Sequence, residues 1–344
     1  MDNLRFAILG TGFWSRYQLA AWRELKGVEC VALYNRTLSK AEALGRDFGI
    51  SAAYDDAERL MRETKPDFLD IITDVDTHWK FVQLAAAHRI PVICQKPMAP
   101  SIAIAEEMVN ACEQAGVSLF IHDNWRWQTP IREVKRILES GVIGKTFRAR
   151  VQFVCSFPVF DNQPFLRELE QFILTDIGSH ILDTVRFLFG EAETLTCRTH
   201  RIGDIKGEDV ATVMMEMENG MTVVCDMSYA SRTEKERFPQ TFLFIEGSQG
   251  SLELSTDYWI HTTTGIGTLR RRYPPPRYSW ADSVYDVVHS SIVPCNADML
   301  QALRNKGLAE THARDNLLTM RLVYASYESA ESKSTIHMKH WRMA

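Results

Sequence analysis

Residues 4–15 read LRFAILGTGFWS, and this stretch decides the fold. Leu4 to Leu9 is a strand-length apolar run of the kind that fills a sheet covered on both faces. It leads straight into Gly10-Thr11-Gly12, behind which a helix can start. Strand, glycine turn and helix in that order gather main-chain N–H groups at a helix N-terminus, where a pyrophosphate binds. Gly10 makes the tight turn, Gly12 allows close approach, and Ser15 is a small substitute at the third GxGxxG position.

The segments behind this unit repeat its texture. VECVALY (28–34), FLDIIT (68–73), PVICQ (91–95) and VSLFIH (117–122) read as strands, with helices over 14–25, 38–48, 77–88 and 102–115. Such alternation predicts an α/β Rossmann-type doubly wound parallel sheet over residues 1–122. Beyond it, QTPIREVKRILES (128–140) reads as an amphipathic helix. Longer strand candidates follow: FRARVQFVC (147–155), ATVMMEME (211–218), MTVVCDMSYA (221–230), TFLFIEG (241–247) and SLELST (251–256). Asn219-Gly220 predicts a type I′ hairpin between two of them. Residues 263–281 fit no period and read as a long surface loop, and a helix near 314–332 closes the chain. Residues 123–344 are therefore expected to form an α+β domain with a mostly antiparallel open sheet, for substrate binding and oligomerisation.

Composition narrows the function. The 344 residues carry 39 Lys+Arg and 44 Asp+Glu, a formal charge of −5, which disfavours nucleic acid as partner. No apolar stretch approaches the ~20 residues of a membrane span. The strand at residue 4 leaves no room for a presequence, and seven scattered cysteines without a CxxC pair argue for a reducing, cytoplasmic compartment. No histidine shows metal-ligand spacing, so no metal is expected.

The end of the second strand reads Tyr34-Asn35-Arg36, with Lys40 one turn on. An acidic residue usually takes the ribose 2′-hydroxyl of NAD there. None is present to repel a 2′-phosphate, so both NAD and NADP stay open, with Arg36 able to stack on adenine or pair with phosphate.

Four more segments carry chemistry: ITDVDTHWKF (72–81), with Asp76 as expected N-cap, ICQKPMAP (93–100), NWRWQTP (124–130) and LTDIGSHILDTVRFLFG (174–190). On a regular helix Asp176, His180 and Asp183 fall within an arc of about 60°. A carboxylate four residues from a histidine orients the imidazole and stabilises its protonated form, as a base removing a hydroxyl proton requires. Lys96 follows the fifth strand, at the edge where doubly wound sheets bind ligands, and reads either as an ammonium that steadies developing alkoxide charge or as a plain surface lysine. Trp127 suits either a pocket wall or interdomain packing, and FPVFDNQPFLR (157–167) either a sugar contact or a plain loop.

In order and spacing these motifs, with GTGFWS, resemble the Gfo/Idh/MocA family of nicotinamide-dependent sugar oxidoreductases. QKP matches the family's EKP, and DIGSHILD its DxGxHxxD. The resemblance implies Lys96, Asp176 and His180 as the catalytic group, with His180 the base. It places Gly10, Gly12, Phe13, Trp14, Asn35, Arg36, Thr73, Asp74, His78, Gln95 and Asn124 at the cofactor, NAD or NADP. Lys96, Arg126, Trp127, Asp176 and His180 would meet the substrate. Two departures stand beside the expected nicotinamide ribose: Gln95 replaces the usual Glu, and Thr73-Asp74-Val75-Asp76 replaces a TPNxxH-type turn while keeping His78.

The activity implied is oxidation of a C–OH carbon in a small sugar, foremost an aldose to its lactone. A ring-alcohol (inositol) dehydrogenase, an NAD-dependent glycosidase and a non-enzymatic dinucleotide-sensing regulator are the alternatives. The expected partner is a small-molecule sugar, with no nucleic acid and no membrane, in a homodimer or homotetramer.

Overall fold

The computed structural model describes residues 3–234, 236 and 238–341. The chain forms two compact units. The first takes in the chain up to Asn124 together with Tyr278–Ala281 and Ile292–Leu318; the second holds Trp125–Arg277, Asp282–Ser291 and the chain from Thr319.

In the first unit, β1 (Leu4–Leu9), α1 (Phe13–Arg23), β2 (Val28–Tyr34), α2 (Leu38–Phe48), β3 (Ala53–Tyr54), α3 (Ala57–Thr64), β4 (Phe68–Ile71), α4 (His78–Ala87), β5 (Val92–Gln95), α5 (Ile102–Ala115) and β6 (Leu119–His122) follow in order. The strands lie β3-β2-β1-β4-β5-β6, all parallel, in the doubly wound arrangement expected from their apolar runs. Phe6 stacks on Phe68 at 5.0 Å and Trp22 tilts against both, which seats α1 on β1 and β4. Sequence texture assigns everything after residue 122 to a second domain, yet residues 292–318 pack in this unit. Ile121 N–H donates to Thr311 O at 2.8 Å, and Phe120 bridges to His312. β6 is an edge strand whose main-chain groups need partners, and this distant segment supplies them.

The second unit has α6 (Thr129–Glu139), β7 (Thr146–Val154), α7 (Val159–Asn162), α8 (Ser179–Phe189), β8 (Ala192–His200), β9 (Val210–Met217), β10 (Thr222–Ser228), β11 (Phe242–Gly247), β12 (Gly250–Leu254), β13 (Trp259–Thr264), β14 (Gly267–Arg272) and β15 (Ile336–His337). Among the described residues its sheet has nine strands, ordered β14-β13-β12-β11-β7-β10-β9-β8-β15, antiparallel except where β10 lies parallel to β7. α9 (Asp286–Asn305) and α10 (Ala313–Ser332) contribute to both units.

Two local expectations are corrected. The hairpin at Asn219-Gly220 is not type I′: Gly220 N–H donates to Met217 O and only Gly220, at φ +80°, is left-handed, as in a type I turn closed by a glycine bulge. The stretch 263–281 is not one loop. It completes β13 and forms β14, whose exposed Arg270, Arg271 and Arg272 lie on the sheet's edge, where charge blocks further pairing.

Candidate active site

The glycine turn is built as its residues require. Gly10 holds φ +101°, and a Cβ there would lie 2.3 Å from the Ile72 carbonyl oxygen. Gly12 caps α1 with extended backbone and no side-chain cap, and a Cβ on it would meet nothing within 4 Å. Ser15 is buried and its hydroxyl donates to Gly12 O at 2.6 Å. Asn35 ties this turn to the end of β2, accepting from Thr11 N–H at 3.3 Å and donating to Thr37 O at 3.1 Å. A cavity of about 350 Å³ adjoins the turn, lined by Gly12, Phe13, Arg16, Tyr17 and Lys40 among others. Phe13 and half-buried Trp14 pack against Tyr17 with ring centroids 5.2 and 6.1 Å away, and Arg36 is exposed. Open space over Gly12, a helix start without a side-chain cap and flanking cations fit the pyrophosphate of a dinucleotide.

At the carboxyl ends of β4 and β5, two turns are clasped together by His78. Its Nδ1 lies 3.1 Å from Met98 O and its Nε2 3.1 Å from Thr73 O. Burial holds its pKa below the usual histidine range, although the carbonyls of Met98, Thr73 and Pro97 pull the other way. Both ring nitrogens of His78, expected at the cofactor, thus face main-chain carbonyls. Asp76 does not cap α4; it sits exposed in a 3₁₀ turn, Val75–Thr77, and Thr77 holds the N-cap position, its hydroxyl donating to Asp74 O at 2.7 Å. Thr73 and Asp74 stay at the surface of this edge, and Lys96, half-buried, stands at the end of β5. Gln95 turns inward: its Nε2 donates to Gln18 Oε1 at 2.6 Å and faces His122 Nδ1 at 3.3 Å. Asn124, also expected at the cofactor, is buried at the end of the unit's first segment.

In the second unit the DIGSH segment departs from a regular helix. Leu174–Gly178 forms a π-helical turn before α8 begins at Ser179, which replaces the angular spacing of a regular helix. Asp176 Oδ2 accepts from the Tyr229 hydroxyl at 3.1 Å. Burial and the neighbouring carboxylate push the Tyr229 phenol far up, so it remains a donor. His180 is buried and stacks on Trp125, with ring centroids 4.4 Å apart and planes at 18°. Trp125 is itself pinned by its indole N–H to Thr241 Oγ1 at 2.9 Å. Asp183 pairs with Arg126, whose Nε donates at 2.8 Å. That ion pair is buried, and through it Arg126, expected at the substrate, braces α8. Trp127 lies under the Arg132 guanidinium, 3.4 Å from ring centroid to carbon, a contact within the second unit.

Sequence patterns did not point to Tyr229 or to the buried Gln18–Asp70 contact. A single carboxylate inside the apolar strand FLDI was the available signal for the second. Nothing near Tyr229 marks it in sequence.

Comparison with known proteins gives consistent results. Residues 4–122 match the oxidoreductase family model with an NAD-binding Rossmann fold, and residues 131–253 match the GFO/IDH/MocA C-terminal domain. The chain is 43% identical over 98% of its length to a D-apiose dehydrogenase of Paraburkholderia graminis, covering 91% of that protein. It is 41% identical to another from Rhizobium rhizogenes, covering 98% of each. The crystal structure of an Agrobacterium radiobacter oxidoreductase, in complex with NAD+, L-tartaric acid and magnesium, superposes with TM-score 0.96 at 41% identity, over 98% of this chain and 99% of that one. The chain belongs to the Gfo/Idh/MocA family of oxidoreductases.

Proposed function

We propose that this protein is an NAD(P)-dependent dehydrogenase of a small aldose, D-apiose foremost, oxidising the anomeric C–OH to a lactone. The observation that carries this reading is the near-full-length likeness to two D-apiose dehydrogenases. When bound, the nicotinamide ring accepts the hydride from the carbinol carbon. Lys96, presented at the end of β5, hydrogen-bonds the reacting oxygen and stabilises its developing negative charge. His180 takes the hydroxyl proton, and the Trp125 face restricts the ring's tilt. Asp176, held by Tyr229, is the carboxylate that steadies the imidazolium. Thr73 and Asp74 are assigned to the nicotinamide ribose, and the glycine turn with Phe13, Trp14, Asn35 and Arg36 to the rest of the dinucleotide.

A panel of aldoses and inositols with NAD and with NADP, followed by absorbance of the reduced nicotinamide, tests this. Turnover of D-apiose is expected. Lys96→Ala and His180→Ala should keep cofactor affinity and lose at least ~10²-fold in turnover. Near-wild-type turnover in either would remove that residue from the mechanism.

The assembly is proposed as a homodimer or homotetramer. One face of the second sheet is solvent-exposed and carries Met214 and Phe244 beside the Arg148–Glu246 and Arg150–Asp226 ion pairs. Sedimentation at micromolar concentration reads the state directly. A cytoplasmic location is supported by seven cysteines held as thiols, six of them buried. Among the described residues no helix is long and apolar enough to cross a membrane.

A further inference from the structure

A line of buried polar side chains crosses the first unit and ends against Lys96. Asp70 lies on β4, Gln18 and Trp22 one turn apart on α1, Gln95 on β5, His122 opposite it on β6, and Asn296 on α9. Gln18 Nε2 donates to both Asp70 carboxylate oxygens, at 2.7 and 2.9 Å, and the Trp22 indole N–H to Oδ2 at 2.7 Å. Gln95 Nε2 then meets Gln18 Oε1 and His122 Nδ1, and His122 Nε2 lies 3.0 Å from Asn296 Oδ1. Each of these side chains is buried.

The sense of every bond in this line is dictated from one point. The main-chain N–H of Lys96 can only donate, and it points at Gln95 Oε1 at 3.2 Å. The Gln95 amide must therefore present its nitrogen to both Gln18 and His122. Gln18 must accept with its oxygen, which turns its nitrogen onto Asp70. The indole of Trp22 can only donate as well, so Asp70 is met by N–H groups alone. On the other side His122 accepts at Nδ1 and carries its proton on Nε2, toward Asn296. Reversing the Gln18 amide would set its oxygen against both Asp70 oxygens, and reversing Gln95 would set oxygen against oxygen at Gln18 and nitrogen against nitrogen at Lys96.

We propose that Gln95, Gln18 and Asp70 are positioning residues for Lys96: the Asp70 carboxylate orients Gln18, Gln18 orients Gln95, and Gln95 holds the Lys96 backbone. This rests on the reading of Lys96 as the group that hydrogen-bonds the reacting oxygen. It also explains why an amide stands at position 95. A carboxylate there would set an oxygen against the Gln18 oxygen and the His122 Nδ1 lone pair, with the Gln18 amide nitrogen already committed to Asp70.

The test is steady-state kinetics of the intact protein with NAD and D-apiose. Gln95→Glu is expected to lower kcat at least tenfold while KM for NAD changes less than threefold. Adding Asp70→Asn should restore kcat to within threefold, because a reversed Gln18 amide then donates to the new carboxylate and accepts from the new amide. In a Lys96→Ala background, Gln95→Glu should change the residual turnover less than twofold, whereas a merely structural role would cost the same in both backgrounds. An unchanged kcat in Gln95→Glu, no rescue by Asp70→Asn, or an equal loss in the Lys96→Ala background overturns the proposal. Should Gln95→Glu not fold, the uncharged Gln95→Met goes through the same background comparison: a loss confined to the Lys96 background supports the proposal, and an equal loss in both overturns it. Wild-type turnover in Lys96→Ala itself instead sinks the catalytic reading of Lys96 and is recognisable as such.

Discussion

Arg126 and Asp183 form a two-bond ion pair inside the second unit, with Nε to Oδ2 at 2.8 Å, Nη2 to Oδ1 at 2.5 Å, and side chains 6% and 0% exposed. Thr319 adds its hydroxyl to Asp183 at 3.1 Å and in turn accepts from Arg186 at 2.9 Å. Removing one partner strands a buried charge, which costs about 3–5 kcal/mol. Asp183→Asn should therefore lower unfolding stability by roughly that amount in urea titrations. Its kcat at low temperature, with the protein folded, should remain near wild type.

The two glycines of the turn should separate folding from binding. Gly10→Ala forces its Cβ onto the Ile72 carbonyl at positive φ, so thermal melting should show a loss of about 3 kcal/mol or more. Gly12→Ala meets nothing in the protein and should melt like wild type. Its KM for NAD should rise at least ~10-fold, because the methyl occupies space over a helix N-terminus suited to pyrophosphate.

Asp70 should leave a mark on stability against pH. Burial pushes its carboxyl up to about 7 from an ordinary 3.8, although Trp22 and Gln18 pull the other way. Between these values the folded chain holds a proton that the unfolded chain has lost. The group's contribution is therefore most favourable below the unfolded value and falls as pH rises toward the folded one, by about 1.4 kcal/mol per unit. Asp70→Asn should remove that slope. Urea midpoints at pH 5 and pH 7.5 read the difference, and equal slopes in both proteins would contradict it.

Tyr229→Phe deletes the hydroxyl that Asp176 accepts and little else. A lost hydrogen bond to a charged group is worth about 1.5–3 kcal/mol. If Asp176 steadies the imidazolium of His180, kcat should fall by about 10- to 100-fold with KM for NAD unchanged. A variant with wild-type kcat would show that Tyr229 merely packs.

The first unit was legible because its cues are local. Apolar runs such as FLDI and VICQ are buried strands wherever they sit, and Gly10 declares a turn that no side chain tolerates. The π turn at Leu174–Gly178 was not legible, since a helical repeat is assumed when an amphipathic pattern is read. Nor was β14, where TLRRR shows no apolar face because an edge strand needs none. Arg126 and His78 looked like ligand contacts in their motifs, and the internal partners that each one has were not legible there.

By themselves the residues determined the two-part organisation and the dinucleotide turn, because each depends on neighbours within a few positions; the three side chains proposed for catalysis came from the family resemblance. Only the tertiary structure decided which polar groups face one another. Asp70, Gln18, Gln95, His122 and Asn296 come from four separate strands and helices plus a segment more than a hundred residues away, and no periodicity records that they meet. Burial then turns that meeting into a constraint. Away from water, each donor needs an acceptor within the protein, so one backbone N–H at Lys96 orients a whole line of side chains.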